Sequence, residues 1–233
     1  MTTVSPPQTE IDSVIALYSN GQIQEALDSV ETLIKNYPNE ALLYNVRGAC
    51  YADLGQPDTA VKRYDQALAI KPDYAEAYNN LGNAFKDLGQ LDTAVKSYDQ
   101  ALAIKPDFAE AHNNLGIALK ELNQLDAAVK SYEQALAIKP SYTEAFNNLG
   151  SVLKELGQLD TAVKSYEKVL TFKPDFAEAH YNLGVTLQEL GQLDAAVKSY
   201  EQALEIKPDY AEAHNNLGNA LKDLNQLDTA LRS

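Results

Sequence analysis

Several residue types are scarce in this chain, and each scarcity excludes a class of structure. The 233 residues include one cysteine, one methionine and no tryptophan. A single cysteine cannot form an intrachain disulfide, and low cysteine use is typical of a reducing compartment. No stretch approaches the roughly 18 apolar residues that a membrane span needs. The start, MTTVSPPQTE, has neither a basic region nor an apolar run, so we predict no signal peptide and a cytoplasmic protein.

Basic residues are also scarce. Lysine and arginine number 19 against 33 acidic residues, which gives a formal net charge of −14. Nucleic acids and anionic membrane surfaces bind basic patches, so neither is a predicted partner. The charge is spread along the chain, and two interpretations stay open. In the first interpretation the negative charge keeps a long surface soluble. In the second interpretation the negative charge favours binding of basic partners.

The chain is rich in repetition instead. Asn-Leu-Gly recurs at 80–82, 114–116, 148–150, 182–184 and 216–218, which is a period of 34 residues. A fixed period of this length is typical of a solenoid. We number each repeat from position 1 to position 34, starting at residue 75. After a polar tail over 1–6, the repeats are 7–40, 41–74, 75–108, 109–142, 143–176, 177–210 and a partial 211–233.

Each repeat predicts two helices, because two stripes of apolar residues follow one another at helical spacing. Gly89 at position 15 separates them, since glycine readily adopts the left-handed conformation that ends a helix. Pro57 marks the start of a second helix and Pro106 the end of one. Asp107 and Glu110 predict a capping box for the next first helix. The position-15 equivalents of Gly89 are Gly55, Asn123, Gly157, Gly191 and Asn225.

The repeat resembles the tetratricopeptide repeat family. The residues that match the family pattern are Tyr78, Leu81, Gly82, Phe85, Ala94, Tyr98, Ala101 and Pro106. The resemblance implies an all-α fold, a right-handed α-α superhelix of about six and a half helix-turn-helix repeats, in which first helices line a concave groove. We expect a single solenoid domain over 7–233, in which the divergent first repeat, 7–40, acts as a cap. The early stop within the last repeat predicts a fragment of a longer protein.

Candidate chemistry is sparse. Cys50 occupies a position where other repeats carry small apolar residues, so we predict a buried core residue. His112, His180 and His214 each follow a glutamate by two residues, and residues two apart on a helix point to opposite faces. Tyrosine or phenylalanine fills the same position elsewhere, which favours packing over metal binding. No nucleophile elbow or phosphate loop is present, so we predict no enzyme activity, no cofactor and no metal.

A ribbon of polar residues on the first helices is the candidate peptide-binding site, because helical geometry places it away from the core stripe. Position 6 carries Asn80, Asn114, Asn148, Asn182 and Asn216, with Val46 as an exception. Position 5 carries Asn79, Asn113, Asn147 and Asn215, with Tyr181 as an exception. Position 12 carries Lys86, Lys120 and Lys154.

Two interpretations of the paired asparagines stay open. A position-6 amide that bonds to the backbone of the neighbouring repeat would fix the stacking of repeats. Alternatively, amides at one per repeat would pair with the backbone of an extended peptide, since an amide both donates and accepts. The position-6 row resembles the asparagine ladder in the repeat domain of O-linked N-acetylglucosamine transferases, which implies a peptide groove.

Three functional hypotheses follow. The first is a non-catalytic protein-interaction scaffold that binds extended peptide in the groove. The second is the substrate-recruiting arm of a larger glycosyl- or sulfotransferase. The third is end-to-end self-association through open ends. Specificity of the groove is expected from positions that depart from the repeat, namely Val46, Phe146, Tyr181 and Gln188.

Overall fold

The computed structural model describes the backbone of residues 5–232 and the side chains of residues 5–225. Over this range the chain forms thirteen α-helices and no strand. The helices fall into two compact units, Met1–Leu122 and Asn123–Ser233. The predicted all-α repeat solenoid is confirmed, because helices pair in sequence order. The prediction of one domain over 7–233 stays a prediction.

The first unit contains seven helices among its described residues, in which each helix packs on the next. They are α1 Gln8–Ser19, α2 Ile23–Asn36, α3 Ala41–Asp53, α4 Pro57–Ile70, α5 Ala75–Asp87, α6 Leu91–Ile104 and α7 Ala109–Glu121. The first helices also touch one another, α1 with α3, α3 with α5, and α5 with α7. These contacts place the first helices side by side, so that their outer faces form one surface.

The second unit has six helices in its described part, again packed in sequence order. They are α8 Leu125–Ile138, α9 Thr143–Glu155, α10 Leu159–Phe172, α11 Ala177–Glu189, α12 Leu193–Ile206 and α13 Ala211–Arg232. The first helices α9, α11 and α13 are again in side-by-side contact. The helix-pair pattern therefore holds in each unit by itself.

In four repeats the interior contains a glycine that faces a tyrosine. Gly82 lies against Tyr98, whose side chain is fully buried, and a Cβ added at this glycine would stand 2.5 Å from the ring. Ala94 and Ala101 on the facing helix are also fully buried. Small residues therefore let the two helices approach closely, as predicted. The same glycine–tyrosine contact recurs at Gly48–Tyr64, Gly150–Tyr166 and Gly184–Tyr200.

The turn between paired helices forms as predicted at position 15. Gly89 has a φ of +71°, and Asn123 takes the same left-handed conformation with a φ of 58°. The Gln90 N–H donates to the Phe85 carbonyl at 2.8 Å, which satisfies one of the free carbonyls at the end of α5. The second helices α4, α6, α8, α10 and α12 then begin at position 17 and end at position 30.

The predicted turn at Asn225 is wrong. The last helix, Ala211–Arg232, runs through this residue without interruption. Only eight residues follow Asn225 in the sequence, whereas the second helices elsewhere have 14. A separate helix shorter than about 12 residues is marginal, while continuing an existing helix adds one hydrogen bond per residue.

The predicted capping box at Asp107 and Glu110 is also wrong. The residue that precedes α7 is Phe108, and no side-chain cap hydrogen bond forms there. Asp107 therefore lies one residue before the N-cap position of α7 and does not cap this helix. The Lys105 ammonium instead lies 4.6 Å from the centre of the Phe108 ring, which is a cation–π contact. The same contact recurs between positions 31 and 34 of the repeats 41–74, 109–142, 143–176 and 177–210.

The first repeat keeps the helix pair although its sequence has diverged. Gly21 has a φ of +76° between α1 and α2. Val14 and Cys50 are buried in the core that α1 and α2 share with α3. Cys50 has no exposed surface and is therefore a core residue, as predicted. Burial and the nearby charge of Asp53 raise the pKa of its thiol to about 11. Of the predicted polar tail, residues 1–4 lie outside the described residues and Pro6 is buried.

Candidate functional site

The paired asparagines connect successive first helices. In the first unit, the Asn80 amide donates to the Asn45 oxygen at 3.1 Å, and the Asn114 amide donates to the Asn79 oxygen at 3.0 Å. Each position-6 side chain therefore reaches back to position 5 of the preceding repeat. The expected inter-repeat bond forms, with a side-chain amide rather than a backbone group as its acceptor.

The second unit repeats this arrangement with one substitution. The Asn182 amide donates to the Asn147 oxygen at 3.2 Å. The Asn216 amide donates to the Tyr181 hydroxyl oxygen, also at 3.2 Å. A phenol thus takes the place of the amide acceptor, so Tyr181 preserves the row. Its ring lies 4.9 Å from that of Tyr210, measured between centroids.

The expectation that position 5 lies open in a groove is wrong for Asn79 and Asn113. Their exposed fractions are 1% and 5%. Helical geometry placed position 5 opposite the core stripe, and that face packs against the neighbouring first helix. Asn147 is half-buried and Asn215 is exposed, so only part of the position-5 row is reachable from outside. These residues mainly support the position-6 row.

Position 6 and position 12 remain reachable from solvent. Asn80, Asn114, Asn148, Asn182 and Asn216 are all half-buried, as are Lys86, Lys120 and Lys154. The Lys86 ammonium pairs with Asp87 at 3.2 Å, and the Lys154 ammonium pairs with Glu189 at 3.3 Å. The acidic residues of position 13 therefore offset the lysines of position 12 at these two sites.

A cavity of about 630 Å³ opens on the first helices of the first unit, and we call it the first-helix groove. It contains three of the predicted site residues, Asn80, Lys86 and Asn114. Its walls come from positions 5, 6, 9, 10, 12 and 13 of α3, α5 and α7, together with residues of α1 and Tyr64 of α4. The lining is Ile15, Tyr18, Asn45, Val46, Ala49, Ala52, Asp53, Tyr64, Asn80, Asn83, Ala84, Lys86, Asp87, Asn114 and Ile117.

The groove combines an apolar surface with a few polar groups. Ile15, Val46 and Ile117 supply the larger aliphatic side chains, and Ala49 and Ala52 leave space between them. This composition is typical of a binding pocket, in which apolar walls provide affinity and a small number of polar groups fix orientation. The departures at Val46 and Ala52 make this end of the groove more apolar than the repeat pattern predicts.

The charge in the groove is negative. Asp53 and Asp87 face it together with Lys86, which is itself paired with Asp87. Burial, together with a hydrogen bond to Asp53 and its charge, raises the pKa of the Tyr18 hydroxyl well above its usual range. Tyr18 is therefore uncharged, and because Asp87 is paired with Lys86, Asp53 supplies the negative charge of this groove.

Some lining residues were missed in the sequence. Asn83 at position 9 lies in the groove, and its oxygen accepts a hydrogen bond from the Tyr98 hydroxyl at 2.7 Å. Ile15 and Tyr18 come from α1, which no longer follows the repeat pattern. Helical geometry did place position 9 on the groove face, although Asn83 was not named among the site residues, whereas the contribution of α1 depends on tertiary packing.

The histidines were predicted to pack in or near the core, but His112 and His180 are half-buried and His214 is exposed. The Nε2 atoms of His112, His180 and His214 stand 2.9–3.0 Å from the carbonyl oxygens of Pro106, Pro174 and Pro208. Tyr44 makes the equivalent bond to Pro38. No cluster of potential metal ligands occurs among the described residues. In that same part of the chain, none of the helices combines the length and apolar content of a bilayer span.

Comparison with known proteins agrees with the repeat architecture. A family model described as TPR repeat matches residues 48–89, 82–123, 118–157, 150–191 and 187–225. No curated protein sequence matches the chain. Among solved structures, YrrB, described as a TPR protein with an unusual peptide-binding site, is 25% identical, with a TM-score of 0.66, over 80% of this chain and 96% of its own.

Two further structures are similar. MamA is 30% identical, with a TM-score of 0.65, over 71% of this chain and 96% of its own. PilW, described as a widely conserved type IV pilus biogenesis factor, is 26% identical, with a TM-score of 0.81, over 90% of this chain and 97% of its own. Proteins with different biological roles thus share this helix-pair arrangement.

Proposed function

This chain belongs to the TPR repeat family, and we propose that it is a protein-interaction module that holds an extended peptide in the first-helix groove. The observation that carries the proposal is the groove itself, which has the size and mixed lining of a binding pocket. The similarity to YrrB, a TPR protein with a peptide-binding site of its own, gives further support. The proposal assigns the chain no catalytic role.

The position-6 amides are the proposed contacts to the peptide backbone. The bond between Asn114 and Asn79 uses one of the two N–H groups of Asn114. The second N–H and the carbonyl oxygen are the groups proposed to pair with the peptide. The same role is proposed for Asn80 in this groove and for Asn148, Asn182 and Asn216 along the second unit.

Amides alone give weak binding. One hydrogen bond contributes about 0.5–1.5 kcal/mol, and micromolar affinity needs about 8 kcal/mol. Burying one leucine-sized side chain adds about 1.5–3 kcal/mol. We therefore propose that an aliphatic side chain of the peptide packs against Ile15, Val46 and Ile117, while a lysine or arginine of the peptide faces Asp53.

The test begins with selection of peptides from a displayed random library on the wild-type chain. Calorimetry then compares the wild type with Ala52→Lys, which introduces the residue that position 12 carries in the three following repeats. The long cationic side chain fills the groove and repels a basic ligand, so we expect at least about tenfold weaker binding. Lys96→Ala on an exposed face of α6 is the control and should bind like the wild type.

Unchanged affinity of the Ala52→Lys variant would remove the groove from the proposal. The thermal midpoint of each variant shows whether the fold survives. The recruiting-arm alternative, end-to-end association and a cytoplasmic location stay predictions. The first is compatible with the same groove, because it only adds an enzyme domain to a peptide-binding surface.

A further inference from the structure

The repeat 143–176 departs from the others on the outer part of its second helix. Positions 26–30 read QALAI in three repeats and QALEI in a fourth, but KVLTF here. The changes introduce Lys168, Val169, Thr171 and Phe172 within one helical turn and a half. A cluster of departures in an otherwise monotonous array indicates a local role that the other repeats do not share.

The structure places these departures beside another one. Phe146 at position 4 stacks on Phe172, with ring centroids 6.4 Å apart and an interplanar angle of 24°. Four other residues at position 4 use a ring nitrogen or a phenol hydroxyl to bond a proline carbonyl, as His180 does with Pro174 at 2.9 Å. Phenylalanine has no such atom. The aromatic pair therefore replaces the hydrogen bond that connects position 4 to a proline carbonyl in other repeats.

The aromatic pair does not bury itself. Phe172 keeps an exposed fraction of 46%, the highest of the large apolar residues in the described part of the chain. A packing pair that served stability alone would gain more from burial. Beside it lies a depression of about 370 Å³ whose lining includes Phe146, Thr161, Lys164, Glu167, Lys168 and Thr171.

The charge of this depression is opposite to that of the whole chain. Two lysines, Lys164 and Lys168, line it with a single carboxylate, Glu167. Lys154 and Lys173 of the same repeat are paired with Glu189 and Glu144, whereas neither lining lysine forms an ion pair among the described residues. Two available ammonium groups beside an exposed aromatic ring suit an acidic ligand with an apolar side chain.

We propose that Phe146, Lys164, Lys168, Thr171 and Phe172 form a second docking surface, the aromatic–lysine patch, which binds an acidic protein segment with an aromatic or aliphatic anchor. The anchor packs on the Phe146–Phe172 pair, and the flanking carboxylates pair with the two lysines. Four of these residues lie on the second helix α10, and Phe146 lies at position 4 of the first helix α9. None of the five lines the first-helix groove, so the patch is separate from that proposed peptide site.

The probe is a fluorescein-labelled peptide, Asp-Glu-Asp-Phe-Asp-Glu-Asp, titrated with the full chain and followed by fluorescence anisotropy. The matched variant is Lys168→Gln with Thr171→Ala and Phe172→Ile, which restores the residues found in the regular repeats and is therefore compatible with the fold. We expect at least about tenfold weaker binding, because both the anchor site and one charge are lost. Circular dichroism confirms that the variant is folded.

A reciprocal variant sharpens the test. Tyr78→Phe with Gln100→Lys, Ala103→Thr and Ile104→Phe places the same side chains in the repeat 75–108, which already has Thr93, Lys96 and Asp99 at the remaining positions. This variant should bind a second equivalent of the probe.

Three results would overturn the proposal. They are equal affinity of wild type and reverted chain, equal binding of a control peptide with lysine in place of every acidic residue, and preferential binding of a single-stranded oligonucleotide. Loss of binding when the phenylalanine of the probe is replaced by alanine supports the anchor. The groove variant Ala52→Lys leaves this titration unchanged, so failure of one proposal is distinguishable from failure of the other.

Discussion

The repeats 75–108 and 143–176 share an interior and differ on the surface. Gly82 and Tyr98 in the first correspond to Gly150 and Tyr166 in the second, and the contact between glycine and tyrosine is the same. The outer positions of the second helix differ, where Ile104 corresponds to Phe172. The comparison teaches that the fold resides in what the repeats have in common, whereas ligand recognition is expected where they differ.

The largest expected effect comes from breaking the shared interior. Gly82→Ala forces a Cβ to within 2.5 Å of the Tyr98 ring. Overpacking of this kind costs about 1–3 kcal/mol. We expect the free energy of unfolding to fall by an amount near the middle of that range, which a lower urea midpoint would show.

Gly218→Ala is the matched control for this change. Gly218 belongs to the same Asn-Leu-Gly motif, yet no atom lies within 4 Å of its added Cβ. Alanine in an exposed helix is better than glycine by about 0.8–1 kcal/mol, so this variant should be slightly more stable. Equal effects of the two alanine substitutions would show that the tyrosine contact does not restrict position 8.

A smaller effect is expected from the asparagine row. Asn79→Ala removes a buried acceptor and leaves the Asn114 amide without its partner. The expected cost is about 1 kcal/mol, because an amide loses its bond in a half-buried position. Asn215→Ala, at the same position on an exposed site, should change the free energy of unfolding by less than about 0.5 kcal/mol.

Denaturant unfolding of both variants distinguishes a residue that supports the inter-repeat contact from a residue that is only exposed on the surface. Equal costs at Asn79 and Asn215 would contradict the assignment of position 5 as an inter-repeat support in the first unit.

The two asparagines at position 15 allow a test in which the same substitution should change stability in opposite directions. Asn123→Gly should stabilise by a few tenths of a kcal/mol, on the order of 0.5, since Asn123 adopts a left-handed conformation that glycine accepts more easily. Asn225→Gly should destabilise by a similar amount, roughly 0.3–0.5 kcal/mol, because this residue lies inside a helix. Calorimetric midpoints that move in the same direction for both would contradict the continuous last helix.

The smallest expected effect depends on pH. A hydrogen bond from Lys173 lowers the pKa of Glu144 below its usual value. Its stabilising contribution is therefore present above the unfolded-state pKa of about 4.3 and is lost as the pH falls through the lower folded-state pKa. Both side chains are about half exposed, so the contribution is at most about 0.5 kcal/mol.

Glu144→Gln should remove this contribution at pH 7 and leave the stability nearly unchanged at a pH below the folded-state pKa, while the contact of Lys173 with Phe176 stays in place. A variant equally destabilised at both pH values would indicate that lost packing of the side chain, and not the ion pair, explains the change.

Much of the fold could be predicted because the same helix and turn signals recur in successive repeats. The glycine at position 15, the proline at position 32 and the two apolar stripes each carry a local physical reason, and the observed helices follow them. The turn at Asn225 could not be predicted from its residue type, since asparagine also fits a helix interior. Its conformation depends on how much helix follows.

The candidate site was less predictable. Helical geometry correctly separated the core stripe from the opposite face, and it placed Asn80, Lys86 and Asn114 together in the groove. It could not show that Asn79 is covered by the next first helix, because that contact depends on the spacing between repeats. The contributions of Ile15 and Tyr18 were equally hidden, since α1 follows no repeat pattern.

The most direct measurement is an NMR titration of the wild-type chain with a peptide selected on it, following the side-chain amide signals of asparagine. Binding in the first-helix groove should shift the signals of Asn80, Asn83 and Asn114 and leave those of the exposed Asn36 and Asn39 unchanged. A saturable titration in which the three groove amides stay fixed while other signals move would contradict peptide binding at this surface.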